Sequence, residues 1–212
     1  MACRFRGIPI CAMVRSWDGT TNKRIIRILP DYLLTSNSFI KNEAVRYHDM
    51  PKERIVVTGM PQYDLYYQYL EKIKNATAEE IASDRSRFFQ EMGLDPKKKF
   101  ILVAPAGSYL TDIDWQILEM LKRAQDSEDL PSGLQFLVRQ HPSLPSDLSR
   151  FVNNGNFIIE KPPGAHFTAR HRMTEMDRES VDHLCDSLRF SEILVQFSST
   201  IGLDACVFDR PQ

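Results

Sequence analysis

The chain has no apolar run near the roughly 20 residues that cross a bilayer, which excludes a helical membrane span. Its first residues, Met1 to Arg6, lack the charged start and long apolar core of a secretory leader. Charge of one sign is also missing. With 27 Lys+Arg against 28 Asp+Glu the net charge is −1, so there is no basic field of the kind that binds nucleic acid. Only four cysteines occur, Cys3, Cys11, Cys185 and Cys206, widely spaced and mostly in apolar or helical contexts. That is neither a disulfide framework nor a zinc pattern, and it suits a reducing, cytoplasmic compartment. His48, His166, His171 and His183 show no metal spacing, and no repeat or low-complexity segment is present.

What remains is ordinary globular composition, 42% hydrophobic and 26% charged over 212 residues, room for one large or two small domains. Short β-rich runs alternate with helical patterns. Ile8–Val14, Asp31–Ser36 and Ile55–Gly59 read as strands, with a helical segment from Lys41 to His48. Residues 65–98 read as a helical linker: Leu65, Tyr69 and Ile73 share one helical face, and Thr77 with Glu80 forms a capping box for a helix ending at Gly93. Strands follow at Lys99–Ala104, Leu134–Arg139, Phe157–Ile159 and Ile193–Phe197. Helices are expected at Asp112–Gln125, with Ile113, Ile117, Leu118 and Leu121 inward, and at Asp177–Arg189, with Val181, Leu184, Cys185 and Leu188 inward. Pro145–Val152 reads as a short helix or turn and Pro162–Arg172 as an irregular loop, while Glu175, Asp177 and Glu179 read as a solvated helix start. Strand, helix and strand in succession argue for parallel βαβ units, an α/β fold. Each unit reads as incomplete, because the chain starts almost directly on a strand and stops at Asp209-Arg210-Pro211-Gln212, where a further strand is due.

Three strand ends in the second unit carry chemistry: Ala106-Gly107-Ser108, Arg139-Gln140-His141-Pro142 and Ser198-Ser199-Thr200, the last opening onto Ile201-Gly202-Leu203-Asp204. Parallel strands bring all three to one sheet edge, where ligands of open α/β sheets bind. A strand that stops at hydroxyl-bearing residues before a helix offers backbone N–H groups and hydroxyls to an anion. Gly107 permits close backbone approach. Arg139 can meet a phosphate with its planar fork. His141 can donate to a phosphate oxygen or serve as an acid. Asp204 can accept from ribose hydroxyls. The ligand these features describe bears phosphate, and a nucleotide is expected. Each feature also has a plain structural reading: Ser198 or Ser199 as an N-cap, His141 as a turn residue, Arg139 in a surface ion pair, Asp204 as a solvated helix position.

The order of these motifs, with Asp182-His183-Leu184-Cys185-Asp186-Ser187-Leu188 and Asp209-Arg210-Pro211, resembles the nucleotide-binding half of GT-B glycosyltransferases. It is most similar to the branch containing CDP-glycerol glycerophosphotransferases and surface-polysaccharide enzymes. Val14–Thr21 and Val57–Asp64 resemble the end of that branch's N-terminal domain. The resemblance implies a GT-B-like pair of Rossmann-like units: residues 1–64 as the end of the acceptor-side domain, 65–98 as linker and 99–212 as the nucleotide-binding domain. It implies a glycosyltransferase or glycerophosphotransferase in surface-glycan assembly, with a nucleotide sugar or CDP-polyol as donor and a glycan or polyol phosphate as acceptor. No separate cofactor and no metal are implied, and peripheral membrane association through a partner is compatible with it. Carried onto this chain, His141, Ser198, Ser199 and Thr200 would bind the phosphates beside Gly107, Ser108 and Arg139, and Asp204 would lie near the ribose. Asp18, in Trp17-Asp18-Gly19, is the candidate catalytic base, with a turn-forming Asp-Gly as its other reading. A UDP-GlcNAc 2-epimerase-like enzyme and a non-catalytic nucleotide-sugar-binding remnant are the alternatives.

Overall fold

A computed structural model describes residues 2–23, 25–142, 144–160, 165–167, 173–197 and 199–212. The chain divides into two compact units, Met1–Tyr67 and Gln68–Gln212.

After a short helix α1 (Ala2–Phe5), the first unit is a three-stranded parallel sheet, order β1-β2-β3, from β1 (Cys11–Met13), β2 (Tyr32–Thr35) and β3 (Ile55–Val57). Helix α2 (Ser38–His48) connects β2 to β3. Asn37 caps it by accepting from the Ile40 N–H at 2.9 Å, and Asp49 ends it in the left-handed region at φ 54°. Leu33, Ala44, Met50 and Ile55 form the core, with Ala12, Val14, Ile26 and Leu29 packed around them. The described residues of the long connection from β1 to β2 lack regular structure, and His48 holds them. The Ile26 N–H donates to Nδ1 at 3.2 Å, so the ring proton sits on Nε2 and faces the Thr20 carbonyl at 2.6 Å.

The second unit begins within α3 (Gln62–Lys74). Its sheet has the order β6-β5-β4-β9, all parallel, from β4 (Lys99–Ala104), β5 (Leu134–Arg139), β6 (Phe157–Glu160) and β9 (Ile193–Gln196). A separate antiparallel pair joins β7 (Ala165–Phe167) to β8 (Met173–Glu175), within and just after a stretch expected to be loop; the remaining residues of that stretch, with Ser198, lie outside the described ones. Central strands buried on both faces read as continuous apolar runs rather than alternations, which is why Lys99–Ala104 and Leu134–Arg139 stand out in the sequence. Register aligns Phe157, Phe136, Ile101 and Ile193 in one row. On that face Leu118 of α5 (Asp114–Asp126) and Phe151 complete the core, and the Phe136 and Phe157 rings stack at 4.3 Å. On the opposite face Phe100 meets Phe88 and Phe89 of α4 (Ala78–Met92), while Phe88 also contacts His183 and Phe190 of α6 (Arg178–Phe190). The capping box of Thr77 and Glu80 and the left-handed Gly93 stand as the sequence implied.

One expectation changes: Ile113 precedes α5 and is half exposed instead of inward. Within residues 65–98, Phe88 and Phe89 are buried against β4, so α4 packs on the second core. Of the two forms expected for Pro145–Val152 the turn is found, at Ser149–Arg150.

Replacing His48 with Phe would keep the ring but strand the Ile26 N–H and the Thr20 carbonyl, at roughly 1–3 kcal/mol per buried unpaired group. Urea unfolding should show this loss in a transition that reports the first unit, and a variant as stable as the parent would show that the loop is held by other means.

Candidate functional site

From β4 the chain runs outward on one side to β5 and β6, then returns to place β9 on the other side of β4. Adjacent strands β4 and β9 are thus joined by a crossover, and the carboxyl ends of such strands are where open α/β sheets bind ligands. A cavity of about 170 Å³ lies there, lined by Ala104 and Pro105 after β4, Arg139 to Pro142 at the end of β5, Met176 and Leu184 beside α6, and Ser199, Thr200, Ile201 and Asp204 at α7 (Ile201–Val207). It is smaller than the ~300–1,000 Å³ of a pocket for a whole small-molecule ligand.

Four of the sequence-derived residues meet directly on this cavity, His141, Ser199, Thr200 and Asp204, and Arg139 forms part of its wall. His141 is half-buried, and burial lowers its pKa, favouring the neutral ring. Its Nδ1 accepts from the Leu144 N–H at 3.1 Å, which fixes the proton on Nε2 and makes that atom a hydrogen-bond donor. Thr200 is the N-cap of α7 without a side-chain cap, so the capping role considered for Ser199 does not apply. Instead the Ser199 N–H donates to Gln196 Oε1 at 2.8 Å. Asp204 is buried on the first turn of α7.

Gly107 and Ser108, expected beside the phosphates, have their backbone N–H groups engaged within the protein. The Ala106 and Gly107 N–H groups donate to the two oxygens of Asp114 at 3.2 and 3.0 Å, and Ser108 N–H donates to the Leu144 carbonyl at 3.1 Å. Neither residue lines the cavity. Gly107 matters through shape. Its φ is +91°, and a Cβ there would lie 2.6 Å from the Leu144 oxygen and 3.1 Å from His141 Cβ, so only glycine lets the loop close over the His141 turn.

Arg139 also departs from expectation. It is buried, and its Nη1 donates to Glu160 Oε1 at 3.0 Å and to His183 Nδ1 at 3.1 Å. The two-pronged grip on a phosphate read from the sequence is therefore not available to Nη1, and the ion pair is interior rather than at the surface. Burial raises the pKa of Glu160 against the pull of Arg139. Burial and then the Arg139 charge lower that of His183 to about 4, so His183 is neutral at pH 7 and accepts from Arg139. Glu160 and His183 escaped the sequence reading as site residues. The register pairing of Arg139 with Glu160 at the ends of adjacent strands was the available signal for the first.

Asp18 sits in the first unit as a loop-forming residue. Burial opposes its ionisation, but the Ser16 hydroxyl and the Lys23 ammonium, 3.2 Å from Oδ2, outweigh it and hold the carboxyl below its ordinary range. Its carbonyl also accepts from the Thr21 and Lys23 N–H groups. A carboxylate bonded at both oxygens and held below its ordinary range is a weaker base, and these local bonds fit the turn reading. Among the described residues no His, Cys, Asp or Glu cluster could hold a metal, the cysteines are free thiols, and no helix is long and apolar enough to cross a membrane.

No family model and no curated protein matches the sequence. Solved structures do match in fold. The UDP-GlcNAc 2-epimerase from Neisseria meningitidis, solved bound to UDP-GlcNAc, aligns at a TM-score of 0.61 and 18% identity over 94% of this chain and 51% of its own. The wall teichoic acid polymerase TagF aligns at 0.48 and 18% identity over 96% of this chain and 46% of its own. The chain thus spans about half the length of the epimerase structure it matches. Two parallel-sheet units with flanking helices are the α/β arrangement of GT-B-like proteins, and this chain has that fold.

His183 supplies a pH test. Its folded pKa lies below the ordinary 6.5, so between about 6.5 and 4 the unfolded chain binds a proton that the folded chain excludes, and His183 costs stability as pH falls through that window. His183→Asn keeps an acceptor for Arg139 and cannot titrate, while Glu160 is common to both proteins. The stability advantage of the parent over the variant at pH 7 should shrink on acidification, at a slope approaching about 1.4 kcal/mol per pH unit. Denaturant melts at pH 7, 6, 5 and 4.5 check this, and a constant gap would contradict it.

Proposed function

We propose that this chain contributes the nucleotide-binding half of a GT-B transferase that uses a nucleotide-activated sugar or polyol phosphate in surface-glycan assembly. The observation carrying this reading is the convergence of the β5 end, with the His141 donor, and the Ser199–Asp204 segment after β9 on one cavity at the switch point of the second sheet. The cavity suits the donor's phosphates, and the sugar and base extend past it. His141 Nε2–H, pointed by the Leu144 bond to Nδ1, would donate to a phosphate oxygen. The Ser199 and Thr200 hydroxyls would share that charge, and Asp204 would accept from the ribose. Displacement at the donor's anomeric carbon or its phosphorus would then be driven by stabilising the departing nucleotide more than the intact donor. The acceptor, the base that activates it and any membrane association belong to this proposal.

A nucleotide-sugar 2-epimerase is the second reading, favoured by the fold match to UDP-GlcNAc 2-epimerase. The two share the phosphate site and differ in product. Incubation with labelled UDP-GlcNAc, with and without a glycan or polyol phosphate acceptor, separates them.

Binding is tested by calorimetry with CDP, UDP, GDP and CMP, and the reading falls if the folded protein binds none. His141→Asn keeps an acceptor for the Leu144 N–H and removes Nε2. A hydrogen bond to a charged group contributes about 1.5–3 kcal/mol, so the variant should bind the preferred nucleotide at least about tenfold more weakly. Its melting temperature should barely change. Normal affinity in the variant would make His141 a turn residue only.

A further inference from the structure

Among the described residues that line the cavity, Arg139 carries the cationic charge, and that charge is already met inside the protein. Glu160 Oε1 holds Nη1, both side chains are more than nine-tenths buried, and Glu160 Oε2 is buried without a hydrogen-bond partner among the described residues. His183 adds an acceptor but no charge: its Nδ1 accepts from Arg139, and its Nε2 lies 3.5 Å from Glu160 Oε1. The pair is neutral as a unit, and Asp204 stands on the same cavity. A site meant to hold phosphate as tightly as possible would not bury a carboxylate against its cation. We infer that Glu160 is a tuning residue that lowers the affinity of the site for anions and discriminates against the more highly charged ligand.

The inference rests on the nucleotide reading above and makes it more specific. The leaving nucleoside diphosphate ends in a phosphate monoester carrying about −1.5 to −2 charges at pH 7, whereas each phosphate of the intact donor is a diester with a single charge. A fixed negative charge one side chain behind the wall therefore opposes the product more than the donor. Glu160 would keep the spent nucleotide from blocking the site, with Arg139 supplying directed hydrogen bonding rather than net attraction.

The test is Glu160→Gln, which preserves size and an acceptor for Arg139 while removing the charge, with Glu160→Ser beside it as a second neutral variant should the first lose its cooperative melt. Calorimetry compares UDP with UDP-GlcNAc, and CDP with CDP-glycerol, on parent and variants. The neutral variants should bind the free diphosphate at least about threefold more tightly, as expected when a like charge a few ångströms away is removed from a partly buried site. The gain should be smaller for the intact donor, so that the ratio of donor to diphosphate Kd rises. Equal or weaker diphosphate binding, or an equal gain for both ligands, would overturn the inference. If the parent binds none of the four, the nucleotide reading itself has failed, an outcome distinct from a parent that binds and a variant that does not change.

Discussion

Both oxygens of Asp114 are spent on the loops above the second sheet, and the cavity depends on that. One oxygen accepts from Ala106 and the other from Gly107 and from the Ser146 hydroxyl, at a position only 1% exposed. The segment leaving β4 is thereby tied to the segment leaving β5. Gly107 can then pack under Leu144, and Leu144 in turn orients His141 through Nδ1. Donor direction at the cavity thus traces back through two hydrogen bonds to a buried carboxyl that never touches it. Losing Asp114 would leave the two N–H groups unpaired in the interior and release the loop that aims the imidazole.

The strands were readable wherever burial was symmetrical. Phe100–Ala104 and Phe136–Val138 are unbroken apolar runs because helices cover both faces, and the ends of their strands fell where expected. Local chemistry was equally plain at Thr77, Glu80 and Gly93, since a capping box and a left-handed stop involve residues a few positions apart. The packing of the segment before β4 was less legible because its charged surface outweighs two adjacent phenylalanines, and it is those that fix α4 to the core.

The site divided along the same line. That His141, Ser199, Thr200 and Asp204 would share an edge followed from parallel strands ending together. What each polar group does there depends on partners that lie outside its own strand-end motif. Asp114 claims the Gly107 N–H, Glu160 and His183 claim Arg139, and neither pairing follows from spacing along the chain. Asp18 shows the reverse case: its neighbours Ser16 and Lys23 are local, and the Asp-Gly turn reading was sufficient.

The order of the sheet also bears on how the cavity comes into being. Strands β4, β5 and β6 adjoin in sequence as in space, so half of the wall can assemble from neighbouring contacts. The other half arrives with β9, an edge strand separated from β4 by the whole of that assembly and secured on its far side by the Leu194 N–H to Pro211 carbonyl bond. A transient detachment of β9 and α7 would erase the cavity while leaving the phenylalanine stack of the remaining sheet intact. A bound anion would therefore act as a clasp on the last-joined strand, slowing amide exchange in β9 well before it altered exchange in β5.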